Sequence, residues 1–205
     1  MELSGEPLKD LEYFEQNLPY RDAIDLTLVY LGERPACLVM DPGEEEVRRI
    51  RKFCKKLGFY FLVKESVEYS DLSKTGVFVT KEKDRLNVLE DTNGRFYGFS
   101  DRKVGEFLGF PDEDVEYFAE NIENGPLESE TREKALELAS EKVISREDVK
   151  FVELVTYVAR PSEESVLQAV KRGKDYRDAL LEFDTETGSD LGRRLLNRYI
   201  RGTIS

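Results

Sequence analysis

The stretch PACLVMDPGEEEVRRIRKFCKKLGFYFLVKE, residues 35–65, decides how the chain is read. Its first six residues are a short apolar run of strand length. Pro42 and Gly43 turn the chain, and 44–57 reads as a helix with Ile50, Cys54 and Leu57 on one apolar face. Glu44, Glu45 and Glu46 fill its first turn while Arg and Lys follow, an order that suits the helix dipole at both ends. Gly58 ends the helix, and FYFLVKE at 59–65 is aromatic-rich strand sequence. Strand, helix and strand within about thirty residues is the size of a βαβ unit.

Upstream, 7–17 and 20–31 read as helices separated by Pro19. In the second, Tyr20, Ala23, Ile24, Thr27, Leu28 and Leu31 share one face, and Gly32 suits the C-terminal cap. Downstream, 76–82 and 85–91 read as strands, and Asn93-Gly94 is the favoured dipeptide of a two-residue hairpin with 95–99 as the returning strand. From Ser100 the chain turns helical. Ser100 caps a helix ending at Gly109, and Pro111 opens another that places Val115, Phe118 and Ile122 inward. A helix follows at 129–143. FVELVTYVA at 151–159 is rich in β-branched residues and reads as a strand, with a helix as the alternative. Ser162 begins a helix reaching Arg172, and helices near 175–183 and 189–201 finish the chain.

The expected class is α/β (α+β): a mixed sheet with a βαβ-like unit and a hairpin, then a mostly helical C-terminal half. The boundary falls near 99, giving 1–99 and 100–205, in an arrangement compatible with one shared core. The tetrapeptide YRDA occurs twice, at 20–23 and 176–179. Tyr, Ala and the next apolar residue fall at i, i+3 and i+4, so they face inward while Arg and Asp face outward. The repeat is a shared way of starting an amphipathic helix, not a duplication.

Composition removes whole classes of chemistry. Among 205 residues there is no His, so imidazole-based nucleophile activation, general bases and zinc sites are excluded. The two cysteines, Cys37 and Cys54, read as buried core thiols. No haem, flavin, nicotinamide or zinc motif is present, and any cofactor is left unknown; no metal ligands stand out. With 43 acidic and 31 basic residues, a net charge of −12 opposes non-specific binding to anionic lipid or nucleic acid. No apolar run approaches a membrane span, and MELSGEPLKDLEYFEQ lacks the regions of a secretory signal, so no membrane partner and a cytoplasmic location are expected.

Two segments, VGEFLGFPDEDVEYF at 104–118 and LVTYVARPSEES at 154–165, resemble an archaeal family of unknown function, the domain-of-unknown-function family numbered 483. Its members carry a Gly, then Leu-Gly-Tyr-Pro with a Cys-Cys pair after it, then Val and Phe. An apolar-Pro-Cys-Ser-Pro-x-Cys segment follows. The matching positions are Gly105, Leu108, Gly109, Phe110, Pro111, Val115 and Phe118, then Val158, Pro161 and Ser162. Glu113 and Asp114 stand where the resemblance would place the paired thiols, and Arg160 with Glu164 or Ser165 stand near the later ones. The resemblance covers the C-terminal half and implies that any thiol-based function of that family does not carry over.

Basic residues in an acidic chain are the clearest candidates for contact with a partner. Arg48, Arg49 and Lys52 lie on the helix at 44–57, in company with Arg51, Lys55 and Lys56. Arg95, Tyr97 and Arg102 surround the expected hairpin, where guanidinium and ring together can stack on bases. Arg193, Arg194, Arg198 and Arg201 form a second cluster. The reading is a binding or adaptor protein with an unknown macromolecular partner, nucleic acid being one option. The alternative is an enzyme using carboxylate or divalent-metal chemistry around Asp41, or around Glu113 and Asp114 if folding buries them; catalytic residues are otherwise unknown.

Overall fold

The computed structural model describes residues 5–67, 73–89, 96–123, 127–155 and 157–204. Two helices, α1 (Glu6–Asn17) and α2 (Tyr20–Leu31), precede strand β1 (Ala36–Met40), helix α3 (Glu44–Leu57) and strands β2 (Tyr60–Val67) and β3 (Ser73–Thr80). Then come α4 (Asp101–Leu108), α5 (Asp112–Asn121), α6 (Leu127–Ser140), α7 (Val149–Leu154), α8 (Glu163–Thr187) and α9 (Leu191–Ile204). The fold is a three-stranded sheet with helices, and the C-terminal half is helical. None of the described helices is long and apolar enough to cross a membrane.

The sheet order is β1-β3-β2, and both neighbouring pairs are antiparallel. β1 and β2 therefore run parallel to each other with β3 inserted between them, a split form of the βαβ unit. Side-chain alternation divides the sheet cleanly. Cys37, Val39, Val77 and Val79 face the larger core cluster, built with α1–α3 and α6–α9. Ala36, Leu38 and Phe78 face the smaller one, with Tyr97, Phe99, Val104 and Phe107. Both sheet faces are covered, which is why ACLV reads as an unbroken apolar run. The larger cluster draws on chain segments before residue 80 and after residue 134.

Several elements differ from the sequence reading. Residues 85–91 were expected as a strand; Lys83–Val88 is instead a 3₁₀ turn. Three residues per turn bring Leu86 and Leu89 to one side, where both pack on the smaller cluster. The Arg85 guanidinium donates to the carbonyls of Glu106 and Phe107 at 3.1 and 3.0 Å, satisfying the end of α4. The strand reading of 151–159 also fails, because Val149–Leu154 is helical. It follows directly on a 3₁₀ turn, Arg146–Asp148, opened by a capping box in which Ser145 and Asp148 exchange side-chain and backbone hydrogen bonds of 3.1 and 3.2 Å. The helices read separately as 162–172 and 175–183 are one, α8, continuous through Gly173.

The turn signal at Asn93-Gly94 and the residue Arg95 lie outside the described residues. What is described beyond them is a tight turn rather than a strand. Phe96 and Phe99 bond to each other through both backbone pairs, at 3.1 and 2.8 Å. Tyr97 and Gly98 between them take positive φ of 52° and 90°, as a primed two-residue turn requires.

Candidate functional site

A cavity of about 270 Å³ opens between the α2–β1 layer and the α4–α5 pair. Leu38 and Met40 form its floor, and Val104 and Val115 its far wall. The wall is held by local chemistry. Ser100 caps α4 by accepting from Lys103 N at 3.3 Å, and Gly109 ends the helix at φ 73°. Gly105 lets α5 approach so closely that a Cβ there would stand 2.6 Å from Val115 Cγ2. That approach swings the first turn of α5 inward and buries Asp114 at 2 % exposure, while its neighbour Glu113 stays exposed.

The apolar walls carry several acids. Asp22 and Asp25 of α2 line the cavity with Asp101, Asp114 and Glu128, against a single basic residue, Arg21. Some of this charge is neutralised internally. Asp25 pairs with Arg34, which is itself buried and lies 5.5 and 6.0 Å from the ring centres of Phe110 and Tyr176. Glu128 meets Arg21 at 3.5 Å. Asp22 and Asp114 make no ion pair among the described residues. Each instead accepts one backbone hydrogen bond: Asp22 Oδ2 from Met40 N at 3.0 Å, Asp114 Oδ1 from Arg160 N at 2.8 Å.

The sequence placed Asp22 on the outer face of its helix, and the structure corrects this. Asp22 is 4 % exposed because β1 packs along α2 and offers the Met40 amide to it. In the second YRDA copy Asp178 is exposed as expected. Burial pushes the Asp22 carboxyl up to about 7, opposed by the Met40 amide and reinforced by Asp25 and Asp41. Burial also raises Asp114, less strongly because Arg160 N and the nearby Ser165 hydroxyl favour its charge. Asp22 is thus poised to exchange a proton near neutral pH.

An acid raised by folding costs stability wherever the unfolded chain would ionise it. Unfolded, Asp22 titrates near 3.9; folded, it titrates at about 7. The folded state therefore holds the extra proton between these values, and stability falls as pH rises from about 4 through 7. The full displacement corresponds to at most about 4 kcal/mol. Asp22→Asn keeps an acceptor for Met40 N and removes the charge, so it is expected to stabilise the protein by about 1–3 kcal/mol at pH 8. Near pH 4 the variant should match the wild type; urea titrations at the two pH values measure the difference. Equal stability at pH 8 would show that Asp22 is solvated.

The residues singled out from sequence lie elsewhere and are not brought together. Arg48 and Arg49 both pair with Glu45, at 2.7 and 3.1 Å, and Arg49 also covers the Tyr13 ring at 3.8 Å. Lys52 is exposed. Arg102 holds Glu116 through a 2.7 Å contact and reaches Glu120 at 3.8 Å, bracing α4 to α5. Tyr97 is buried rather than displayed. Its hydroxyl donates to Asp41 Oδ1 at 3.3 Å, and its ring sits under Gly76, where a Cβ would be 2.7 Å away. Asp41 also accepts from Thr75 N at 3.2 Å and so braces a turn. Among the described residues no three His, Cys, Asp or Glu side chains converge to hold a metal ion.

Arg193, Arg194 and Arg198 of the C-terminal cluster are engaged internally, and the side chain of Arg201 lies outside the described residues. Arg194 and Arg198 reach Glu15 of α1 at 3.3 and 3.5 Å, and Arg193 reaches the buried Asp184 at 3.5 Å. Both cysteines are buried and free, and burial pushes the Cys54 thiol up to about 12 and Cys37 higher as well. They are inert as nucleophiles. The cavity itself was missed, apart from Asp114, because its acids come from three separated segments. The one available signal was Asp25, set between Ile24 and Leu26 in the apolar run of α2. Residues 104–118 and 154–165 meet here, through Asp114 and Arg160 N. Comparison with family models, curated proteins and solved structures finds no match to this chain.

Proposed function

We propose that the protein binds a small molecule in the cavity between α2–β1 and α4–α5. The observation that carries this reading is a preformed, largely apolar cavity containing two buried carboxylates without ion-pair partners among the described residues. Small-molecule sites combine apolar walls with a few fixed polar groups, and about 270 Å³ lies just below their usual range of roughly 300–1,000 Å³. Keeping Asp22 charged at neutral pH opposes folding, and ligand recognition gives that cost a use.

Occupancy is read from the methyl resonances of Leu38, Val104 and Val115 during titration with indole and 2-phenylethanol. Shifts confined to these methyls, and abolished when Met40→Trp fills the floor, are the expected result. A saturating ligand at 100 times its dissociation constant should add about 2.7 kcal/mol of stability. Unmoved methyls with every probe, charged or neutral, would overturn the reading.

A second reading rests on α3, whose Arg48, Arg51, Lys52, Lys55 and Lys56 line one open surface. Arg51, Lys52 and Lys55 make no ion pair among the described residues, so this face can meet an acidic macromolecule such as nucleic acid. Binding of a single-stranded RNA should then weaken steeply with salt, and Arg51→Glu with Lys52→Glu should abolish it. Salt-independent or absent binding would remove it.

A further inference from the structure

Three buried polar atoms lie together at the α5–α8 end of the cavity: Asp114 Oδ2, the Tyr157 hydroxyl and the Ser165 hydroxyl. Among the described residues none has a hydrogen-bond partner, although the Ser165 hydroxyl is close enough to favour the charged form of Asp114. Such orphans are rare in a folded interior and call for an explanation. Asp114 and Tyr157 both line the cavity; Ser165, 1 % exposed, stands behind Asp114 on α8. Two other buried acids are fully engaged. Asp184 accepts from Gly192 N, Arg193 N and Ser189 Oγ at 2.7, 2.9 and 3.2 Å, and Asp25 has Arg34. The contrast marks the Asp114 end as built to receive a donor from outside the chain.

The charge of that donor follows from its surroundings. Arg172 lies over the Tyr157 ring, 5.9 Å from its centre, and acts on Asp114 only from a distance. Arg160 contributes its backbone amide, not its guanidinium, to Asp114. The lining near this end includes the apolar Val115, Phe118 and Val158, with Arg21 and Glu128, which neutralise each other at 3.5 Å, on the side of Tyr157. We propose that the cavity takes an organic cation with a small apolar body, its primary ammonium bonded to Asp114 Oδ2 and the Tyr157 oxygen. An ammonium carries three donors and no acceptor, which suits a carboxylate oxygen and a phenol oxygen that both lack a donor. Val104, Val115 and Leu38 enclose the hydrocarbon body. A carboxylate or phosphate ligand is disfavoured, since Asp22 and Asp114 would face it with like charge. A divalent cation is disfavoured because no three acidic side chains converge among the described residues.

The inference rests on the cavity being a binding site, and one experiment separates the two. 2-Phenylethylammonium, 2-phenylethanol and phenylacetate share nearly one shape and differ in the head group. Their affinities are measured by calorimetry at pH 8, with the cavity methyl resonances reporting location. The ammonium is expected to bind roughly 10- to 100-fold more tightly than the alcohol, and phenylacetate not at all. In Asp114→Asn, which keeps an acceptor for Arg160 N, the preference should vanish while the alcohol still binds. In Tyr157→Phe it should fall in part. Equal binding of ammonium and alcohol in the wild type would overturn the cation inference and leave the cavity reading standing. No binding by any of the three would overturn both. The wild-type ratio decides even if a variant fails to fold.

Discussion

Gly192→Ala is expected to destabilise the protein by about 3 kcal/mol or more, although Ala is the better helix former by about 1 kcal/mol. Gly192 lies in the first turn of α9, where that helix crosses α8. A Cβ there would stand 2.1 Å from the Leu180 carbonyl oxygen and 2.7 Å from its carbon. These are main-chain atoms in the middle of a 25-residue helix, so they cannot swing aside as a side-chain tip would. The alternative is to pry α9 away from α8, which would also pull Gly192 N off Asp184 Oδ1. Gly173 repeats the arrangement against α7, with a Cβ 2.2 Å from the Phe151 carbonyl oxygen. For a chain of this length 3 kcal/mol lowers the melting temperature by roughly 6–12 °C. Gly43→Ala is the control, because its Cβ would meet only the movable end of Glu46. If Gly192→Ala melted within a degree or two of wild type, the close α8–α9 contact would be wrong.

Arg34→Ala should cost about 3–5 kcal/mol, chiefly by leaving Asp25 as an unpaired buried charge. Arg34 is 2 % exposed, and its guanidinium joins Asp25 of α2 while lying near Phe110 and Tyr176. It ties the turn after α2 to the loop before α5 and to α8, so its loss also opens a void among those rings. Burial by itself would lower the pKa of Arg34; Asp25 holds the charge in place. The double variant Arg34→Met with Asp25→Leu, which removes both charges and keeps volume, should recover most of the loss. A urea-denaturation cycle over the two positions measures the coupling. A loss below about 1 kcal/mol for Arg34→Ala would mean that water reaches the pair.

The elements whose signals are local were legible. Gly32, Gly58 and Gly109 end helices in the left-handed conformation at the positions where the sequence puts caps. The alternation in ACLV and VFV places their side chains on alternate sheet faces. The failures trace to contacts between distant segments. Gly173 interrupts a helical pattern when read alone, yet α8 runs through it because the Phe151 carbonyl needs the space. The β-branched run at 151–159 was outweighed by the Ser145–Asp148 capping box and by burial against α8. The site was least legible. A carboxylate at helix spacing carries no mark of its fate, and the inward turn of Asp22 is set by the Met40 amide, eighteen positions away. The basic residues stand out in the sequence because they are charged, but several are engaged with neighbouring acids.

The order of the three strands also sets an order of assembly. β2 and β3 are consecutive and can pair soon after collapse, whereas β1 finds its sheet partner, β3, beyond α3 and β2. Closing that larger loop is entropically slower. Pulse-labelled amides of Cys37 and Val39, which face β3, should gain protection after those of Leu62 and Lys64; simultaneous protection would rule this out. Leu38 and Met40 belong to the cavity floor, so the chain completes its sheet and the proposed binding site in one late step. A nascent or partly folded molecule would then have no site to fill, and a ligand would select only chains that have finished folding.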